Sequence, residues 1–343
     1  MSYHDQDRSK KRKVSRDGDY VDTSRPSAFF QPVQGRDWTL SVAIPGSVVS
    51  TCRRDDQRIA VINQIARALA VFSIDEVVIF DDSPMDQRMS NVDPKSYMGD
   101  TDPCGYVEHL LNYVEVPPFM RKTLIPFHKN LHGAGLLESL DLPHHPHPSE
   151  WLPYREGLST SEGARGGKGT VVDVGAKEKV TIEDDIPPNH RVTLHIDEND
   201  PSRGEAVHPA EPRTKGGYYW GYTIRRCKSL ASIFEECTYE GGYDVSIGTS
   251  ERGVLIPNAF PEKKKPEPLK FNHLLIVFGG PRGIEYAAEN DPALQEMGII
   301  RGKTKELFDH WINILPGQGS RTIRTGEALF IGLTGLRRLW EAR

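Results

Sequence analysis

A chain of 343 residues is long enough for one large or two medium domains, and 37% hydrophobic residues with 25 prolines and 31 glycines describe a folded core with polar loops and a polar tail. The formal net charge of -5 excludes nucleic-acid binding through bulk charge, so any such binding needs local basic patches. No apolar run approaches the roughly 20 residues that span a bilayer, the polar, basic N-terminus is unlike a secretory signal, and Cys52, Cys104, Cys227 and Cys237 are too scattered for a disulfide framework or a zinc site.

Residues 1–36 lack apolar periodicity and carry Lys10-Lys11-Arg12-Lys13 and Arg16, which reads as a nuclear address, nucleolar in its narrower form, or as a phosphate-binding arm. Folded sequence begins near Trp38. Leu40 to Ile44 is expected as a strand broken by Pro45-Gly46-Ser47, and Asp55 or Asp56 is expected to cap a helix running to Val71. Ile59, Ile62, Ala66 and Leu69 recur there at helical spacing. Val77 to Phe80 is a continuous apolar run, so strand, helix and strand form a βαβ unit of a parallel sheet covered on both faces. A loop over 85–103 leads to a helix from Tyr106 to Val116, stopped by Pro117-Pro118.

The pattern then changes. Thr170 to Val174, Lys179 to Ile182, Arg191 to Ile196 and Tyr218 to Ile224 are short β-rich runs, which predict a small barrel or sandwich over 152–226. Its Tyr218, Tyr219, Trp220 and Tyr222 either face nucleic acid or fill the barrel core. After Lys228 the α/β pattern returns: a helix over Leu230 to Cys237, strands over Tyr243 to Ile247, Phe271 to Phe278 and Trp311 to Leu315, a Pro/Lys-rich loop over 257–268, and a closing helix over Thr322 to Trp340. The expected organisation is a tail (1–36), an α/β domain (37–151 and 227–343) and the inserted β domain (152–226).

Three polar, glycine-bearing loops follow strands in the last third, at 247–253, 278–285 and 315–325. Ligands of open α/β sheets bind beyond the carboxyl ends of strands, where glycine lets backbone come close. None of the loops fits a P-loop or a G-x-G-x-x-G fingerprint. His144, His145 and His147 sit among prolines in an extended loop, which argues against a metal site.

Gly248-Thr249-Ser250-Glu251-Arg252-Gly253, Phe278-Gly279-Gly280 and Pro316-Gly317-Gln318-Gly319-Ser320-Arg321-Thr322-Ile323-Arg324-Thr325 resemble the RNA methyltransferases of the SPOUT (α/β-knot) superfamily, in the branch with an OB-like insert. Val42-Ala43-Ile44-Pro45-Gly46-Ser47, Gln64-Ile65-Ala66-Arg67-Ala68, Pro212-Arg213-Thr214-Lys215 and Tyr219-Trp220-Gly221-Tyr222-Thr223 carry the resemblance across residues 38–336. It implies a trefoil knot, an exception to the near-absence of knots, and a homodimer that binds S-adenosylmethionine and methylates RNA, with a uridine of ribosomal RNA favoured. Gly248, Thr249, Gly279, Gly280, Leu315, Gly317, Gly319, Ser320, Ile323 and Thr325 are then the expected cofactor contacts. Thr322-Ile323-Arg324-Thr325 departs from the Asn-containing stretch of better-known branches. That leaves Arg324 as candidate electrostatic stabiliser, Glu285 as candidate base and Arg58 as their partner. Candidate RNA contacts are Arg53, Arg54, Arg121, Lys122, Arg213, Lys215, Arg225 and Arg226, and the insert over 152–226 is expected to bind RNA and not cofactor. The alternative is a non-catalytic RNA-binding, ribosome-assembly or spindle-associated protein that keeps the fold.

Overall fold

The computed structural model describes residues 32–341, except 33, 89–92, 94, 146–149, 164–167, 198 and 262–268. The basic tract at 10–16, His147 and the Lys-rich part of the 257–268 loop lie outside the described residues.

Eleven strands are described, in two sheets. β1 (Thr39–Pro45), β2 (Glu76–Phe80), β8 (Thr223–Cys227), β9 (Val245–Leu255), β10 (His273–Val277) and β11 (His310–Asn313) pair in parallel, in the order β11-β9-β10-β1-β2-β8. β3 (Tyr154–Gly163), β4 (Thr170–Asp173), β5 (Val180–Ile182), β6 (Arg191–Ile196) and β7 (Gly204–Ala206) pair antiparallel, in the order β5-β4-β3-β6-β7. The helices are α1 (Asp55–Val71), α2 (Pro103–Glu115), α3 (Arg121–Leu124), α4 (Glu211–Thr214), α5 (Ser232–Glu235), α6 (Ile256–Ala259), α7 (Ile284–Glu289), α8 (Pro292–Glu296) and α9 (Thr325–Leu336).

The parallel strands read as unbroken apolar runs because successive side chains feed opposite layers. Val42, Ile44, Val77, Ile79, Leu274 and Ile276 enter the core beneath α1, α2 and α9. Ala43, Val78, Phe80, Leu275 and Val277 enter a second core with Ile233 of α5, Ile284 and Ala288 of α7 and Leu294 of α8. Asp102 caps α2 by accepting the Gly105 N–H at 2.9 Å, and Pro103 follows at the first position. Asp55 and Asp56 stand in the first turn of α1, one step inside its cap residue Arg54, where they oppose the positive end of the helix dipole. α9 is shorter than the predicted Thr322–Trp340: Thr322 and Ile323 stay in the preceding loop, and Arg337–Leu339 tightens to a 3-10 turn.

The antiparallel sheet nearly closes on itself. The Thr181 N–H of β5 donates to the Ser202 carbonyl at 2.8 Å beside β7, around a core of Val172, Val180, Ile182, Val192, Leu194 and Ile196. One expectation is corrected here. The strand read at Tyr218–Ile224 is Thr223–Cys227, and it pairs with β2 in the parallel sheet, not with the barrel strands.

The chain leaves for the barrel after the C-terminal end of α2 and returns at the start of β8, so the barrel is rooted at the amino edge of the parallel sheet. A buried network fastens it there. Glu115, the last residue of α2, receives Arg191 of β6 through two hydrogen bonds (2.7 and 3.0 Å) and His144 Nε2 at 2.9 Å. Arg191 Nε also pairs with Glu156 of β3 at 2.6 Å, and Glu156 accepts from Thr193 Oγ1 (2.7 Å) and Trp220 Nε1 (2.6 Å). Burial alone would raise the Glu115 carboxyl, but hydrogen bonding to His144 and the Arg191 charge outweigh it and hold the group well below the usual carboxylate range. His145 donates to the Glu115 carbonyl, and burial pushes its pKa down to about 3. Tyr219 and Tyr222 hydroxyls donate to the carbonyls of Ile74 and Leu111, so the aromatics of this stretch serve as internal ties.

Candidate active site

At the opposite, carboxyl edge of the parallel sheet, three segments enclose a cavity of about 300 Å³, at the small end of the range for ligand sites. The first wall is an excursion within β9. Gly248 pairs with Trp311, but the next paired residues are Val254 and Ile312, so residues 249–253 leave the ladder and Thr249, Ser250, Glu251 and Arg252 face the cavity. Gly253 lets the strand rejoin β11, because a Cβ there would lie 2.2 Å from the Ile312 carbonyl carbon. Asn313 Nδ2 secures the excursion by donating to the Glu251 carbonyl at 2.9 Å. The second wall is the turn after β10, with Gly279, Pro281, Arg282, Gly283 and, at the start of α7, Glu285. The third runs from Gln318 through Arg321, Thr322 and Ile323 to Ala328 of α9. Thr325 Oγ1 donates to the Gly279 carbonyl at 3.0 Å and ties the third wall to the second. The Glu285 carboxylate, 8% exposed, accepts from Ser250 Oγ at 2.7 Å, which points it across the first two walls.

Of the expected site residues, Thr249, Gly279, Ile323 and Glu285 form part of the cavity wall. Others do structural work. A Cβ on Gly248 would press on the Trp311 ring at 2.5 Å, and one on Gly280 would meet Ser47 Oγ at 2.4 Å and Pro45. Thr325 is buried beneath the glycine turn, and the Ser320 carbonyl accepts from the Gln318 amide. Leu315, Gly317 and Gly319 are outside the wall, with open space around both glycines. Arg324 is the exposed cap residue of α9, its N–H donating to Glu327 at 2.9 Å, and its side chain is outside the wall. Arg58 is buried and spent on Asp55 (2.8 Å) and Asp100, also outside the wall.

The expected RNA contacts are mostly spent as well. Arg225 pairs with Glu76 at 2.9 Å and donates to Tyr243 Oη, and Arg226 makes two bonds to Asp102 (2.8 and 2.7 Å). Arg213 donates to the backbone of Arg36, Asp37 and Trp38, and Arg121 to that of Val114 and Val116. Lys215 pairs with Glu211 and Arg54 with Asp56, both on the surface, while Arg53 and Lys122 are exposed. Sequence reasoning passed over Ser250, Arg252, Arg282, Asn313 and Arg321, which stood inside or beside the loops it singled out for their glycines. Arg301 carried no signal, because the 3-10 segment Arg301–Leu307 has no apolar period.

The glycines separate in a way that can be measured. Gly279→Ala places a Cβ 2.8 Å from the Gly283 and Ile284 backbone, so it is expected to cost about 1–3 kcal/mol in urea unfolding through overpacking. Gly319→Ala meets nothing within 4 Å and is expected to stay within about 0.5 kcal/mol of the unmodified chain. Equal losses at both positions would contradict this division.

An open parallel sheet with a polar cavity built from three loops at its carboxyl edge is the arrangement of an α/β ligand-binding enzyme. Residues 39–336 match the sequence pattern of the family described as "Putative RNA methyltransferase", and the chain belongs to that family. It is 38% identical over 309 residues to the human "28S rRNA (uridine-N(3))-methyltransferase", covering 89% of this chain and 79% of that one. A Drosophila melanogaster protein of the same name is 38% identical over 310 residues, 87% of this chain and 62% of that one. An uncharacterised protein of the archaeon Halobacterium salinarum is 26% identical over 313 residues, 87% of this chain and 98% of that one.

Proposed function

We propose that this chain transfers a methyl group from S-adenosylmethionine to N3 of a uridine in ribosomal RNA. The observation that carries the reading is the three-walled cavity with the Glu285 carboxylate in its wall, in a chain whose relatives bear that activity in their names. The cavity suits the donor: Ile314, Ile323 and Ala328 offer an apolar side for a purine ring, and Thr249, Ser250, Asn313 and Gln318 offer hydrogen-bonding groups. Bound there, S-adenosylmethionine supplies an already electrophilic methyl carbon. What remains for the protein is to place the uridine in line with that carbon, which is worth roughly 7–11 kcal/mol, and to take up the N3 proton. Glu285 is the acceptor, and Ser250 sets its orientation.

The same reading includes a SPOUT knot, a two-chain assembly and a nuclear location. Val254, Leu255 and Leu315, 52, 38 and 38% exposed beside the cavity, give a second copy an apolar face to cover. A two-chain mass by light scattering supports the assembly and a single-chain mass overturns it. Loss of nuclear fluorescence from a tagged chain lacking residues 10–16 tests the address. The activity is tested with radiolabelled donor and ribosomal RNA from cells lacking this protein, followed by nuclease digestion and mass spectrometry. 3-Methyluridine is the expected product. A methyl on ribose or another base overturns the N3 assignment, and donor binding without any transfer favours the non-catalytic alternative.

A further inference from the structure

The lining of the cavity carries more positive charge than its donor can use. Arg252 comes from the β9 excursion, Arg282 from the turn after β10, Arg301 from the start of a 3-10 segment and Arg321 from the loop after β11. All four are exposed, and all four line one cavity. The guanidiniums of Arg252 and Arg321 have no hydrogen bond or ion pair among the described residues. Arg282 lies over the Tyr286 ring (4.6 Å) and donates to its hydroxyl at 2.7 Å, which holds the group in place without neutralising it. Arg301 stands 3.8 Å from Glu289, a loose pair exposed on both sides. Against these, the acids in the wall are Glu251 and Glu285. Four like charges around one small cavity repel one another, which is tolerated where a polyanion completes the site. S-adenosylmethionine is a poor candidate, since its sulfonium and ammonium outnumber its single carboxylate, so it occupies one arginine at most.

The barrel insert shows the reverse balance. Residues 152–222 contain twelve Asp and Glu against nine Lys and Arg, and Arg191 and Arg213 among the latter are internal partners. The insert also stands at the amino edge of the parallel sheet, a strand length of about 17 Å from the cavity at the carboxyl edge.

We propose that Arg252, Arg282, Arg301 and Arg321 clamp the phosphodiesters flanking the target nucleotide, so that RNA is gripped at the mouth of the cavity and not by the insert. The inference rests on the methyltransferase reading above and deepens it by placing the RNA backbone. Arginine suits the task because its planar fork meets two phosphate oxygens at once. A target base must leave its stack to reach a cavity of this size, and holding the phosphates on either side fixes the strand while it does so.

The test is binding of a fluorescein-labelled, 20-nucleotide uridine-loop RNA hairpin to the full chain across a salt series, with calorimetry of S-adenosylmethionine in parallel. Arg252→Gln/Arg321→Gln removes two guanidiniums that no internal bond requires, so the fold is expected to persist. That variant should lose at least tenfold in RNA affinity, and the quadruple Gln variant should flatten the log–log salt slope by about 3, the counterion release of four phosphate contacts. The corresponding Lys variants should keep most of the slope. Lys177→Gln/Lys179→Gln, on the insert, should leave RNA affinity within twofold. RNA affinity unchanged in the rim variants, or lost equally with the insert pair, overturns the clamp. Donor affinity falling as far as RNA affinity also overturns it, by assigning the arginines to the donor. Failure of the unmodified chain to bind the donor at all instead removes the methyltransferase reading.

Discussion

Replacing Glu285 by glutamine is expected to slow single-turnover methyl transfer by about 10²–10⁴-fold, the usual contribution of a positioned proton acceptor. The amide would keep the size of the side chain and still accept the Ser250 hydroxyl through its oxygen, so the walls of the cavity should hold their shape. What disappears is the group able to take the uridine N3 proton. Donor affinity by calorimetry and the melting temperature should therefore change little while the rate collapses. A rate close to that of the unmodified chain would remove Glu285 from the chemistry. A parallel fall in melting temperature would assign it to the support of the β9 excursion.

Arg191→Met is expected to cost about 3–5 kcal/mol, because it leaves Glu115 and Glu156 buried with their charge uncompensated. Guanidinium unfolding, followed by tryptophan fluorescence and by circular dichroism, measures it. The pH dependence has a definite sign. His145 titrates near 3 in the folded chain and near 6.5 when unfolded, so the unfolded state alone gains the proton between those values. Stability is therefore full above about 6.5 and falls with acid, by up to about 1.4 kcal/mol per pH unit. Glu115, whose carboxyl is depressed when folded, adds a second loss in the same direction below the ordinary carboxylate range. His145→Gln should make the fall in stability between pH 5 and 6.5 shallower, leaving the share of His109, His273 and His310, which burial also holds below the usual histidine value. A profile unchanged by that substitution would mean that His145 is not the group responsible.

The parallel sheet was legible because its strands are buried on both faces, so Val77–Phe80 and Leu274–Phe278 announce themselves as short apolar runs. The core of α1 was equally plain from Ile59, Ile62, Ala66 and Leu69. β8 was misplaced because Thr223–Cys227 carries two arginines in an edge strand of the parallel sheet, and only the tertiary pairing with Glu76 and Asp102 makes them acceptable there. The positions of the three loops were readable, their working residues less so. Glycine marked each loop, yet Gly248, Gly253, Gly279 and Gly280 answer to the protein's own packing, and the cavity is lined by the polar neighbours between them. Residues 249–253 illustrate the limit. Nothing local distinguishes a strand that ends from one that leaves the ladder and returns, since the decision lies in the backbone of β11 some sixty residues later.

The pairing of β1 with β10 has a consequence during synthesis. Val42 lies opposite Ile276, so the first strand, already beside β2, meets its other neighbour only after more than two hundred further residues have been made. At roughly 5–20 residues per second, translation leaves that edge open for about 10–50 s. β8 is made only from Thr223 and β10 only from His273, so for most of this interval β1 and β2 form an apolar ribbon unpaired on both edges, the kind of surface that other nascent chains and chaperones recognise. The barrel, whose strands all lie within residues 154–206, closes on itself long before. On the ribosome the inserted module is thus finished early, while the sheet that carries it waits for its last third.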